Sequence, residues 1–127
     1  MNKKNFNQPK ISINKVYTKT GDSGMTSIVG GHKFSKSELR IEVFGELEYL
    51  NSYIGLCFIE LQDKFCDHKY LLNYLIRIQN ELFNLGNMLA TLPEDYNSKM
   101  PSINESDIKY MENVIDDFNL NLPSLES

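Results

Sequence analysis

The sequence has no tryptophan, only two cysteines and two histidines, and no apolar run long enough to cross a membrane. Cys57 and Cys66 are too few for the disulfide framework of a small secreted domain, so we expect two reduced thiols. They form no CxxC pair, and His32 and His68 share no ligand spacing, which argues against structural zinc. We therefore expect a cytoplasmic protein with no protein metal site and no membrane contact.

Acidic side chains are absent from the first thirteen positions, which carry three lysines. This segment lacks the apolar core of a signal peptide and the arginine and serine content of a transit peptide, so we expect residues 1–16 to be a flexible tail. Residues 1–40 hold eight basic against two acidic side chains, whereas residues 41–127 hold five against fifteen. The net charge of −4 therefore hides a basic segment that needs an anionic partner. Its basic residues alternate with glycine, threonine and serine rather than aromatic residues, which favours a small polyanion over nucleic acid.

Two segments have the apolar spacing of helices in a bundle, with steps of four and three residues. The first follows Ser35-Lys36-Ser37-Glu38, a capping-box pattern at which a helix should begin. Its apolar positions are Val43, Leu47, Leu50, Ile54, Cys57 and Leu61. The second repeats the stepping at Leu71, Leu75, Ile78, Leu82, Leu85 and Leu89. A third helix is predicted from Asn104, with Asp107 at cap spacing, to Asn119. The sequence predicts an all-α, up-and-down helical bundle.

Gly45 and Gly55 interrupt the first helix, and each costs about 1 kcal/mol relative to alanine at an interior position. Close helix packing is the favoured explanation. Bare backbone that faces a ligand or a neighbouring subunit is the alternative.

The segment from Tyr17 to Lys36 is mostly loop and combines glycine, hydroxyl groups and lysine. Polyphosphate binding needs these features, because glycines let amides converge on oxygens, hydroxyls donate hydrogen bonds and lysine neutralises charge. The segment is not a Walker loop, because GxxxxGK[ST] is absent. Lys36 stands at the predicted helix start, where an anion is favoured. From these residues alone, a plain surface loop remains the alternative to a phosphate site. In that case Lys36 and Arg40 lie in a solvated first turn of the helix. His32 is expected to be an exposed loop residue.

Several stretches in order resemble the cob(I)alamin adenosyltransferases of propanediol utilisation and of the mitochondrial cobalamin pathway. They read YTKTGDSGMTSIVGG, then SK, then RIEVFGELEYLNSYIGL, and further on IQNELFNLGNMLAT. The resemblance runs from about Tyr17 to the last residue. It implies a domain at 17–127 that is incomplete at its carboxyl end, with three helices of the family's five-helix bundle. It also implies a homotrimer with active sites between subunits.

The resemblance implies that the chain transfers the 5'-deoxyadenosyl group of ATP to cob(I)alamin, giving adenosylcobalamin and triphosphate. ATP, with Mg2+, and cob(I)alamin are then the substrates, and reduced cobalt is the nucleophile. This accounts for the absence of a recognisable nucleophile set, and no catalytic residue is assigned. Asp22 and Gly24 belong to the same motif and are expected to shape the loop. The residues at which the family's nucleotide motif matches this sequence are Thr18, Lys19, Thr20, Gly21, Thr26, Ser27 and Lys36.

The chain departs from the family pattern in two places. Glu48 and Tyr49 replace the acidic pair of GxxDELNS, so one charge is kept on a longer arm and the other is lost. The family's aromatic-Leu-Pro-Gly-Gly stretch and arginine-rich helix do not follow the third helix. We therefore expect weak or no activity from these 127 residues alone. The alternative is a non-catalytic module that binds ATP or mediates oligomeric contacts, and a nucleic-acid module ranks third.

Overall fold

The computed structural model describes residues 16–64 and 69–124. Most of the described chain is helical: α1 is Leu39–Lys64, α2 is Lys69–Leu89 and α3 is Glu105–Asn119. A short antiparallel hairpin precedes the helices, with β1 at Met25–Ser27 and β2 at Lys33–Ser35. The predicted all-α bundle is confirmed, and the hairpin is an element that the prediction lacked. The predicted tail, except Val16, lies outside the described residues, as do Cys66 and His68.

α1 and α2 run antiparallel and pack closely along their length. Near the start of α1, Phe44 and Leu47 face Gly86 on α2, and further along Gly55 faces Gln79. Gly86 is buried, and a Cβ there would stand 3.3 Å from both Leu47 and Phe44. Small residues at such crossings let two helix backbones approach. Close packing, the favoured explanation for glycine in α1, holds for Gly55.

Gly45, by contrast, is exposed, and a Cβ there would meet no atom within 4 Å. Close packing within the described chain therefore does not explain this glycine.

α3 packs against α2 through large side chains and also runs antiparallel to it. The rings of Tyr74 and Tyr110 lie 6.2 Å apart, and Arg77 on α2 lies 3.6 Å from the centre of the Tyr110 ring. The predicted cap of α3 is present, because the Asn104 side chain accepts from the first-turn amides while Asp107 accepts from the Asn104 amide at 3.1 Å. Each reciprocal bond satisfies an amide that the helix itself leaves unpaired.

α1 begins at Leu39, directly after the predicted capping box and four residues after Ser35, where the helix was expected to begin. Ser35 is the last residue of β2, its amide donates to the Glu38 carboxylate at 3.1 Å, and its carbonyl accepts from the Glu38 amide at 3.1 Å. The Lys36 amide donates to the Gly24 carbonyl at 2.8 Å. The capping-box residues thus form a turn tied to the preceding loop, and regular helix starts only at Leu39.

The apolar surface of α1 is only partly covered. Of the predicted seam, Leu47, Ile54 and Leu61 are half-buried, whereas Val43 and Leu50 are 41% and 50% exposed. Within residues 16–64 and 69–124, no side chain is fully buried, so three helices enclose little core. In the same part of the chain, none of the helices is both long and apolar enough to cross a bilayer.

Candidate functional site

The glycine-rich loop folds into two tight turns before the hairpin. The Asp22 amide donates to the Lys19 carbonyl at 3.3 Å, and the Gly24 amide donates to the Gly21 carbonyl at 3.2 Å. Lys19 and Gly24 have φ values of 60° and 81°. Glycine adopts such a φ without steric cost, which is the shaping role expected of Gly24.

Lys36 returns to this loop from the far end of β2. Its backbone amide is held by the Gly24 carbonyl, and its ammonium lies over Gly21, so a Cβ on Gly21 would stand 3.2 Å from Lys36 Nζ. A larger residue at this point would press on the ammonium and require it to shift by a few tenths of an ångström. The structure therefore brings together the loop and the lysine that the sequence proposed as parts of one site.

A surface cavity of about 460 Å³ opens beside this loop. Four of the predicted nucleotide residues line it: Thr20, Gly21, Thr26 and Ser27. The other three, Thr18, Lys19 and Lys36, do not line the cavity: Thr18 and Lys19 lie just before it in the chain, and Lys36 reaches only Gly21 of its wall. The hydroxyls of Thr18 and Thr20 are 2.9 Å apart, and the Lys19 ammonium lies 5.6 Å from the Tyr17 ring centre.

Three residues that the sequence reasoning missed complete the cavity wall: Ser23, Met25 and Lys33. Ser27 pairs directly with Lys33 across the hairpin. A signal for this pairing was present in the sequence, because Gly30-Gly31 separates two short segments in the manner of a hairpin loop.

Lys33 lines the cavity, and Lys19 and Lys36 lie near its glycine-rich loop. Among the described residues, no carboxylate lies within ion-pairing distance of Lys19, Lys33 or Lys36. Elsewhere in the described chain, Lys64 and Lys109 each pair with a glutamate on their own helix. Cations without carboxylate partners favour an anionic ligand.

The hairpin is fastened to the carboxyl end of α2. The Val29 amide donates to the Ala90 carbonyl at 2.9 Å, and His32 Nε2 lies 2.7 Å from Asp95 Oδ2. His32 is the exposed loop residue that the sequence predicted, with a side chain that is 41% exposed, and its contact with Asp95 is an addition to that prediction. Asp95 also packs against Gly30, whose φ is 82°.

Arg40, in the first turn of α1, connects that helix to the carboxyl end of α2. Its guanidinium is part-buried and donates to the Leu89 carbonyl at 2.6 Å and the Thr91 carbonyl at 3.5 Å. These carbonyls are at the end of α2, where a cation is favoured by the helix dipole. The solvated first turn that the sequence left open for Arg40 is wrong.

The two residues that depart from the family pattern lie away from the glycine-rich loop. Glu48 borders a separate cavity of about 170 Å³ between α1 and α2. The Tyr49 and Tyr53 hydroxyls share a 2.9 Å hydrogen bond. That bond, desolvation and the charge of Glu46 raise the pKa of the Tyr49 phenol. Tyr49 is therefore neutral and does not replace an acidic charge.

The fold is an all-α bundle whose amino-terminal hairpin and loop enclose a cavity lined by Lys33 and four hydroxyl side chains. A family model described as cobalamin adenosyltransferase matches residues 16–127. The chain belongs to the cobalamin adenosyltransferase family.

Individual relatives agree with this assignment. A corrinoid adenosyltransferase of Bacillus subtilis (strain 168) is 40% identical over 114 residues, which are 88% of this chain and 55% of that protein. One of Citrobacter freundii is 32% identical over 102 residues, 80% of this chain and 55% of that protein. The chain thus spans about half the length of these curated relatives.

A solved structure gives the same result for the fold. It is a variant PduO-type ATP:corrinoid adenosyltransferase from Lactobacillus reuteri complexed with cobalamin and ATP. The TM-score is 0.79 at 31% identity, and the match covers 89% of this chain and 61% of that chain.

Proposed function

We propose that this chain is the ATP-binding part of an ATP:cob(I)alamin adenosyltransferase that acts in the cytoplasm, with its domain at 17–127. In the reaction, cobalt of cob(I)alamin attacks the 5' carbon of ATP. The cobalt–carbon bond takes its electron pair from cobalt, and the carbon–oxygen bond breaks with its pair on the triphosphate. The products are adenosylcobalamin and triphosphate.

The observation that carries this proposal is the seating of the Lys36 ammonium over Gly21, at the edge of the 460 Å³ cavity. Negative charge builds up on the triphosphate as it leaves, and preorganised cations and donors there lower the barrier. Lys36 and Lys19 supply charge, and the loop amides and hydroxyls supply donors. The proposed ATP-binding residues are Thr18, Lys19, Thr20, Gly21, Thr26, Ser27 and Lys36.

The donor set also fits a magnesium ion that is carried by the nucleotide. The cavity wall offers the hydroxyls of Thr20, Ser23, Thr26 and Ser27, and no carboxylate. Mg2+ keeps several waters and is commonly bound through substrate phosphates rather than a full protein cage. Bound in this way, it would neutralise phosphate charge beside these hydroxyls.

We further propose a homotrimer with active sites between subunits. This proposal is supported by α1, which exposes a set of large apolar residues along its length. Leu39, Val43 and Leu50 fall on one face of α1 at helical spacing, and an exposed apolar face marks a protein interface. The exposed set is Leu39, Val43, Leu50, Leu56 and Ile59.

The proposed activity is tested on two proteins, the chain as given and the same chain joined to the carboxyl-terminal half of the Bacillus subtilis relative. ATP-dependent formation of adenosylcobalamin from strongly reduced cobalamin is followed by absorbance. We expect turnover by the completed protein and little or none by the chain alone. Lys36→Gln should reduce kcat/KM for ATP roughly 10- to 100-fold, because a charged hydrogen bond to phosphate is lost.

Lys99→Gln is the matched control, because Lys99 is exposed, does not line the 460 Å³ cavity, and its substitution removes the same charge. No turnover by a completed, folded protein would overturn the proposed reaction. ATP binding without turnover would instead support the non-catalytic module.

A further inference from the structure

Lys33 is not among the proposed ATP-binding residues. It is the first residue of β2, is exposed, and lines the 460 Å³ cavity together with Ser27. The two residues are direct partners in the antiparallel pair. Side chains of direct partners project from the same face of a hairpin. The register therefore fixes Lys33 beside one of the proposed ATP-binding hydroxyls.

The neighbouring residue shows why Lys33 and not His32 faces the cavity. The backbone at His32 is extended, with φ −62° and ψ 139°, and successive side chains of an extended segment point to opposite sides. His32 is directed to Asp95 at 2.7 Å. Lys33 is directed to the other side, and no carboxylate within the described residues lies within 4.0 Å of its ammonium.

Lys33 and Lys36 approach the cavity from different points. Their Cα atoms are three residue steps apart, which is at most about 10 Å at the rise of a strand. The Lys36 ammonium lies over Gly21, whereas Lys33 lines the cavity beside its strand partner Ser27. A single phosphate group cannot engage two cations placed in this way as well as a chain of phosphates can.

We infer that Lys33 is a third cation of the triphosphate site, which contacts a different phosphate from Lys36 and makes the site selective for long phosphate chains. This inference rests on the proposed ATP site. Lys33 supplies affinity for ATP and for free triphosphate but little for AMP, whose single phosphate is held on the Gly21 side.

The test is isothermal titration calorimetry of the 127-residue chain with ATP, AMP and inorganic tripolyphosphate at fixed ionic strength. Lys33→Gln should weaken ATP and tripolyphosphate binding roughly 10-fold or more and change AMP binding less than about 3-fold, as expected for one charged hydrogen bond. Lys33→Arg should restore most of the affinity, because the charge is kept. Lys99→Gln should match the unsubstituted chain. Thermal melting of each variant shows that the fold is intact.

The outcomes separate this inference from the proposed function. If the unsubstituted chain binds ATP and Lys33→Gln binds it equally well, or loses AMP affinity by the same factor, the inference is wrong and the ATP site stands. If the unsubstituted chain binds neither ATP nor tripolyphosphate, both proposals fail. If Lys33→Gln behaves as expected and the completed protein forms no adenosylcobalamin, the inference stands and the proposed reaction fails.

Discussion

At the scale of single residues, two adjacent glycines in the hairpin loop have different structural reasons. Gly30 and Gly31 have φ values of 82° and 84°, so both adopt a backbone conformation that is costly for other residues. A Cβ on Gly31 would meet nothing within 4 Å, whereas one on Gly30 would overlap the Asp95 carboxylate. Gly30 is thus needed both for its backbone and for the close approach of the residue that pairs with His32.

We predict that Gly30→Ala destabilises the protein more than Gly31→Ala. The positive φ costs about 1–2 kcal/mol at either position. Gly30→Ala should cost about 1 kcal/mol more, because the displaced carboxylate loses its contact with His32. Urea denaturation of the two variants measures the difference. Equal losses would show that Asp95 moves aside freely and that the pair does not hold the hairpin.

At the scale of elements, the hairpin that carries the cavity is held to the helices by few polar contacts. Arg40 on α1 binds the last carbonyls of α2, close to Ala90, whose own carbonyl accepts from Val29 in the hairpin loop. The end of α2 therefore holds α1 on one side and the hairpin on the other.

Arg40→Met should lower the free energy of unfolding by about 1–3 kcal/mol. The part-buried carbonyls of Leu89 and Thr91 lose their charged donor, while methionine keeps the apolar part of the arginine side chain. Lys64→Met is the control, since it removes the same charge from an exposed pair with Glu60 on the same helix, worth under about 0.5 kcal/mol. Chemical denaturation compares the two. Similar small losses in both variants would mean that water replaces Arg40 at these carbonyls.

At the scale of the whole molecule, the three helices leave many large apolar side chains exposed to solvent. Leu50 is 50% exposed and Leu56 is 59% exposed on α1, and Phe83 is 73% exposed on α2. Monomeric proteins rarely leave so many large apolar side chains open. The proposed trimer accounts for the part of this surface that lies on α1.

Sedimentation equilibrium should detect self-association of the chain, and Leu50→Lys should weaken it at least 10-fold by placing a charge in the apolar contact. Gln62→Lys adds the same charge at an exposed polar position of α1 and should leave association unchanged. A chain that stays monomeric at high concentration, or two variants that behave alike, would argue against an interface at this face.

The helices could be predicted from the sequence because their signals are local. Apolar spacing places α1 and α2, and Asn104 with Asp107 marks the start of α3. The loop with Gly21 and Lys36 was proposed as a phosphate site because its residue types carry that chemistry. Whether it binds ATP stays a prediction.

Only the tertiary structure decided how distant residues meet. The hairpin register places Lys33 in the cavity wall opposite Ser27, and chain folding brings Asp95 to His32. Gly30-Gly31 signals that a hairpin is present, but nothing in the local sequence marks its register or the contact between Asp95 and His32. Spacing along the chain reports periodicity and turn chemistry, whereas contacts between separate elements depend on the packing of whole helices, which local patterns do not encode.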